Sequence, residues 1–151
     1  MYVSVYEHEG KEKTGREMYS LVNAFAGDLG VYASMSFPDF FRFVAGLPYI
    51  ADDELFRGRV VEVVARPRWL LDGRLVPALD CKKKSILIGA WAKANGFPFR
   101  FVAVSHLPNK KIHHVMPQID FGNGWVNVDA TFSNHKVGEG QPITYAEVLK
   151  P

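Results

Sequence analysis

The chain has one cysteine, Cys81, and it stands shortly before an apolar run that is typical of a buried helix. A thiol at a helix N-terminus meets unpaired N–H groups and the positive end of the helix dipole, which favour the thiolate. Downstream, His114 can exchange a proton with that thiol, and Asp129 can orient the imidazole. Cysteine, histidine and aspartate in this order predict nucleophilic catalysis by a thiol.

Two other residues compete for the roles of the histidine and the carboxylate. His113 adjoins His114, and if both lie on a strand they face opposite sides, so that only one of them meets Cys81. We assign the role to His114 and keep His113 as the alternate. Asp120 is likewise the alternate to Asp129, which could instead cap a turn.

The elements that must position these residues follow from local patterns. Helices are expected over about 16–29 with Thr14 as N-cap, from Pro38 to Ala45, and from Ser85 to Asn95 before Gly96, with Cys81 near the start of the last one. Strands are expected over 2–7, 99–104, 114–121 and 125–129, with a turn at 122–124 and Pro117 marking an edge or a bulge. Residues 59–65 fit a strand or a helix, and 66–79 a loop. The pattern predicts an α+β domain with a central helix packed on an antiparallel sheet.

Composition excludes several classes of protein. Hydrophobic residues make up 48% and charged residues 23% of the chain, as in ordinary globular proteins. The net charge of +2 is too small to predict nucleic-acid binding. A single cysteine excludes an internal disulfide, and no run approaches the roughly 20 apolar residues of a membrane span. We therefore expect no nucleic acid and no membrane among the partners.

Short motifs follow one another in order between residues 79 and 132. They are Asp80-Cys81 with Ser85, Gly96-Phe97-Pro98-Phe99-Arg100, His114-Val115, and Gly124-Trp125-Val126-Asn127-Val128-Asp129-Ala130-Thr131. This set resembles the transglutaminase-like branch of the papain-type thiol enzymes, and most of all its small phage-encoded members. Upstream, Leu47-Pro48-Tyr49-Ile50 with Asp52-Asp53, and Val63-Val64-Ala65-Arg66-Pro67, are similar to the same members.

The resemblance implies a papain/transglutaminase-like core in which Cys81 is the nucleophile, His114 the base and Asp129 the orienting carboxylate. It implies a single domain, 1–151, with an N-terminal helical part (1–46), the core (47–135) and a C-terminal tail (136–151). The expected function is hydrolysis of an amide or isopeptide bond in a protein or peptide substrate. The alternatives are a cross-linking acyltransferase and a non-catalytic interaction or virion assembly module. A cytoplasmic location is expected, with the virion as the alternative, and the oligomeric state is left open.

The oxyanion of an acyl-transfer intermediate needs two donors. The backbone N–H of Cys81, at the start of its helix, supplies one. Papain uses an upstream glutamine as the second, whereas both glutamines here, Gln118 and Gln141, lie downstream. The indole of Trp69 is therefore the candidate for the second donor.

Two further groups of residues are assigned no chemistry. Lys82-Lys83-Lys84 is expected to be a solvated face, although three cations in a first helical turn oppose the helix dipole. The alternative is that they favour a nearby thiolate or attract an acidic partner. A zinc site would have to recruit His106, His113, His114 and His135, whose spacings match no compact zinc motif in a chain with a single thiol. No metal and no cofactor are expected.

Overall fold

A computed structural model describes residues 3–7, 10–51, 61–73 and 78–151. The helices are α1 (Lys11–Phe25), α2 (Phe37–Ala45), α3 (Pro67–Asp72) and α4 (Cys81–Ala94), with a 3-10 segment over Ala26–Ser34. The strands are β1 (Val3–Glu7), β2 (Val61–Ala65), β3 (Phe99–Ser105), β4 (His114–Asp120), β5 (Trp125–Asn127) and β6 (Tyr145–Val148). The mixed α+β class is confirmed. Asp52-Asp53 of the upstream motif, and residues 59–60 and 74–77 of the predicted segments, lie outside the described residues.

Helix α4 lies at the centre of the hydrophobic core. Asp80 caps its start by accepting a hydrogen bond from the backbone N–H of Lys83 at 3.1 Å. Its end is closed by Gly96 in the left-handed conformation, φ 77°, with the N–H of Phe97 reaching the Ala92 carbonyl. Apolar side chains on nearly every side of α4 are buried, which confirms the predicted central helix: Ile86, Leu87, Ile88, Ala90, Trp91 and Ala92.

The sheet behind α4 is antiparallel and four-stranded, in the order β5-β4-β3-β6. The β3–β4 register runs from Phe99 opposite Ile119 to Val104 opposite His114, and β4 continues into β5 through the predicted turn. The prediction that Pro117 marks an edge or a bulge is wrong, because β4 pairs with a strand on each side. Pro117 stands one residue beyond the β5 pairing, which begins at Gln118, and at such a position a missing N–H is tolerated.

The first helix differs from its prediction at both ends. It begins at Lys11 after Gly10, whose φ of 100° suits glycine, and Thr14 lies inside the helix with its hydroxyl donating to the Gly10 carbonyl. It ends at Phe25, and the chain continues as the 3-10 segment, which Gly30 kinks with φ 53°. The side chain of Thr14 is typical of an N-cap, but the N-cap of α1 is Gly10.

The region between residues 59 and 79 contains more regular structure than expected. Residues 61–65 form β2, which pairs antiparallel with β1. The predicted loop is wrong over α3, where Pro67 occupies a first-turn position that needs no N–H donor. The segment 136–151 contributes β6, which pairs with β3. Within the described ranges, no helix combines the length and the apolar character needed to cross a membrane.

The contact between α4 and β3 generates a stability prediction. A Cβ at Gly89 would lie 3.0 Å from Cζ of Phe101, a ring with no solvent exposure. Overpacking of this kind costs about 1–3 kcal/mol, against a gain of roughly 1 kcal/mol for replacing a helical glycine. We expect Gly89→Ala to lower the free energy of unfolding in urea by up to about 2 kcal/mol. Gly27→Ala, where no atom lies within 4 Å, is the control and should be stabilised by up to about 1 kcal/mol. Equal stability of the two variants would contradict this close packing.

Candidate active site

The start of α4 opens into a cavity of about 460 Å³. The partly exposed thiol of Cys81 lines it, together with the imidazole of His114. One wall is apolar, and the start of α1 brings Lys11 and Glu12 to the same cavity. The apolar wall consists of Ala103, Ile112, Val115 and Leu149.

His114 connects the other two predicted site residues. It is the first residue of β4, and its Nε2 donates to Oδ2 of Asp129 at 2.7 Å. The same imidazole lines the cavity beside Cys81, whose proximity also acts to raise the pKa of His114. The structure therefore brings Cys81, His114 and Asp129 together in the order that the sequence analysis expected. Their catalytic roles stay predictions.

The surroundings of His114 favour its charged form. Burial alone would lower the pKa of His114, but hydrogen bonds to Asp129 and Cys81, and the negative charges of those groups, raise it to about 10. The imidazole is therefore protonated at neutral pH. An imidazolium between a thiol and a carboxylate can donate a proton to a leaving amine.

Asp129 is held on both of its oxygens. Burial acts to raise the pKa of Asp129, but the hydrogen bonds from His114 and Thr131 outweigh this effect and hold it below its usual value. Oδ1 accepts from the Thr131 N–H at 3.1 Å and from its hydroxyl at 2.5 Å. Asp129 thus caps the turn through Oδ1 and hydrogen-bonds the imidazole of His114 through Oδ2.

The two alternates occupy different surroundings. His113 also lines the cavity, and its Nε2 accepts from the backbone N–H of His106 at 3.0 Å. Because His113 precedes β4, strand alternation does not separate it from His114. Oδ1 of Asp120 accepts from the N–H groups of Gly122 and Gly124, at 2.7 and 3.2 Å, and so stabilises the turn between β4 and β5.

The candidate oxyanion donors lie on two helices. The N–H of Cys81 is in the first turn of α4, where no intrahelical acceptor exists. Trp69 lies on α3, packed against the hydrophobic core, and α3 packs against α4. The role of its indole stays a prediction.

The prediction that the lysine run is a solvated face is wrong. Lys82, Lys83 and Lys84 are exposed by only 9%, 0% and 1%. The carboxylate of Asp80 pairs with Lys82 and lies 3.7 Å from Nζ of Lys83. Nζ of Lys84 donates to the carbonyls of Ala45, Leu47 and Thr131 at 3.2, 2.7 and 2.8 Å. The partners of Lys84 come from distant parts of the chain, whereas Asp80 stands just before Lys82 and Lys83. Together they make the burial of three cations tolerable.

Three of the four histidines considered for zinc lie together. The ring centroids of His106, His113 and His114 are 5.4 to 6.4 Å apart, and Nδ1 of His135 lies 3.0 Å from the Asp129 carbonyl. His106 contacts the Pro142 carbonyl through Nδ1. In the part of the chain that the structure describes, no group of three or more His, Cys, Asp or Glu side chains could hold a metal ion.

Two residues near the site were given no part in it by the sequence analysis, which expected Thr131 only to share a turn with Asp129 and Lys84 only to be solvated. Thr131 belongs to a quoted motif, and an aspartate followed two residues later by threonine is a local signal for the bond that it donates. Lys84 carried no such signal, since a run of lysines is normally exposed.

Comparisons with protein-family models, with curated proteins and with solved structures each find no match. The proposed function therefore rests on the geometry of the site.

The first prediction for the site concerns the proton on His114. In a titration followed by NMR of the imidazole, we expect a pKa of about 10 for the wild-type protein. Asp129→Asn should lower it markedly, because the carboxylate that hydrogen-bonds the imidazolium is lost. Asp120→Asn is the matched control and should leave the titration unchanged. A drop in the Asp120 variant alone would transfer the orienting role to Asp120.

A second prediction concerns stability against pH. The pKa of His114 is raised from 6.5, so its contribution to stability is complete below pH 6.5 and is lost as pH rises towards 10. The lowered pKa of Lys84 acts in the opposite direction, but only above about pH 8. We therefore expect the stability difference between wild type and His114→Gln to shrink from pH 6.5 to 8. Urea unfolding at several pH values measures it, and a constant difference would contradict the raised pKa.

Proposed function

We propose that the chain is a thiol hydrolase that cleaves amide or isopeptide bonds in a protein or peptide. The observation that carries the proposal is the position of His114, which hydrogen-bonds Asp129 at 2.7 Å and lines one cavity with Cys81 at the start of a buried helix. We further propose that the core is papain/transglutaminase-like. The cysteine at the start of a central helix, with the histidine at the start of β4 and the aspartate two residues after β5, supports that assignment.

The first half of the proposed reaction forms an acyl-enzyme. The Cys81 thiolate attacks the carbonyl carbon of the substrate, and the resulting oxyanion accepts a hydrogen bond from the Cys81 N–H. The His114 imidazolium then gives its proton to the amide nitrogen. The C–N bond breaks, the amine leaves, and a thioester joins the acyl group to Cys81.

The second half needs His114 to act as a base. In the thioester, Cys81 has no charge and no proton to share, so two of the contributions that raise the pKa of His114 are gone. The imidazole can then take a proton from water, whose oxygen attacks the thioester carbon. The C–S bond breaks, the acid leaves, and the thiolate–imidazolium pair is restored. Asp129 holds the ring through Nε2 during both halves.

The cavity supports a substrate with an apolar acyl part. Its volume of about 460 Å³ lies in the range of sites that hold small molecules or a few peptide residues. The apolar wall would receive the side chain of the acyl residue. Lys11 and Glu12 at the start of α1 are placed to contact the polar backbone that follows.

The test is covalent labelling followed by turnover. We expect a thiol-directed probe to label Cys81 rapidly at neutral pH, and the rate to fall strongly in His114→Ala, because the cation that stabilises the thiolate is lost. His113→Ala should slow labelling less. Equal slowing in the two variants would remove the distinction between these histidines.

Turnover of a panel of peptide amides then separates the possible functions. Asp129→Asn should lower kcat by about 10²- to 10⁴-fold with the fold retained, while Asp120→Asn should not. Mass spectrometry identifies the product: a free acid indicates hydrolysis, and an amide formed with added lysine indicates transfer. A thiol that labels no faster than free cysteine, in a protein that turns over no peptide, would refute the enzyme and favour the interaction module.

A further inference from the structure

One buried cation beside the candidate site is used by no step of the proposed reaction. Lys84 lies one helical turn after Cys81 on α4 and is 1% exposed. Its ammonium has three protons to donate, and three backbone carbonyls surround it at 2.7 to 3.2 Å. Such a group is a fixed point of attachment rather than a mobile charge.

The three carbonyls belong to two segments that the ammonium ties to α4. Ala45 and Leu47 stand at the end of α2 and just beyond it. The third carbonyl, that of Thr131, belongs to the residue whose N–H and hydroxyl hold Oδ1 of Asp129. The end of α2 and the segment after β5 are therefore both held against the first turn of α4.

These contacts connect Lys84 to the other residues of the candidate site and lead back to α4. From Lys84 the contacts lead to Thr131, from Thr131 to Asp129, and from Asp129 to His114. His114 in turn lines the same cavity as Cys81 at the start of α4. Because Lys84 and Cys81 are on one rigid helix, the Lys84 contact sets how far the Asp129 segment can move from the thiol.

We propose that Lys84 is a positioning residue, whose ammonium fixes the Asp129–Thr131 segment so that Asp129 keeps His114 directed at Cys81. This inference rests on the proposed function. Displacement of an orienting group by about 1 Å can cost 10²-fold in rate. Lys84 would thereby affect the chemistry without touching the substrate.

The charge state of Lys84 supports the same role. Burial lowers the pKa of Lys84 to about 8, while the negative charge of Asp129 acts to raise it. The groups that face the ammonium are the carbonyls at the end of α2, the Thr131 carbonyl and the Asp129 carboxylate. Loss of its proton leaves a neutral amine with two N–H groups for three carbonyls, so the attachment should weaken above about pH 8.

The test compares two lysine-to-methionine variants on the same helix. Lys84→Met should lower kcat by about 10²-fold with KM little changed, and should lower the NMR-measured pKa of His114 from about 10. Lys83→Met is the matched control, since it removes a buried amine that faces Asp80 instead. After correction for the folded fraction, it should alter neither kcat nor the His114 titration. A normal His114 titration in Lys84→Met would overturn the proposal.

A measurement on the wild-type protein decides the question if Lys84→Met does not fold. With nitrogen-labelled lysine, the Lys84 ammonium protons should exchange slowly with water below pH 8, unlike those of the exposed Lys93. The His114 ring signals should shift at the pH where Lys84 titrates. Exchange as fast as that of Lys93 would overturn the proposal. If the His114 signals shift with the titration of Lys84 but the protein turns over no peptide, the positioning role is supported. That result would count only against the proposed hydrolase function.

Discussion

The placement of α4 in the middle of the core is the constraint on which the rest of the structure depends. It takes three consecutive lysines into the interior, and removing an ammonium from water costs several kcal/mol even after relaxation. The Asp80 carboxylate offsets part of this cost for Lys82 and Lys83, and backbone carbonyls do so for Lys84. The groups that compensate the lysines therefore gather at the first turn of α4, where the thiol also lies. The contacts that stabilise the buried lysines therefore also hold the residues around the thiol.

The β4–β5 hairpin supplies the other half of the site. Its register pairs Gln118 with Asn127, and the Val128 N–H reaches the Pro117 carbonyl at 3.1 Å. Continued along the strands, this register brings Asp129 to the face of β4 that carries His114. The carboxylate and imidazole need no long flexible reach to meet, and the Thr131 bonds remove the remaining freedom of Asp129. Preorganised contacts of this kind allow a buried imidazolium to persist beside the Asp129 carboxylate.

Local signals made much of the fold predictable. The apolar run after the cysteine, with glycine at its end, predicted α4, and β-branched and aromatic runs predicted β3, β4 and the turn after them. The same signals failed where a tertiary partner or a neighbouring glycine decided the outcome. Thr14 lost the N-cap position to Gly10, and Pro67 began α3 instead of a loop. Pro117 is tolerated in an internal strand because it stands one residue beyond the short pairing with β5.

The sequence by itself showed the types and order of the three site residues. It also predicted the start of the helix that carries the thiol, because capping and periodicity preferences act over a few residues. Which histidine meets Cys81 and which carboxylate holds that histidine depended on strand register and on the hydrogen bonds of Asp120 and Asp129. Only the tertiary structure decided the burial of the lysine run. A charged side chain is buried only where partners offset its desolvation cost, and the partners of Lys84 are 37 to 47 residues away in the chain.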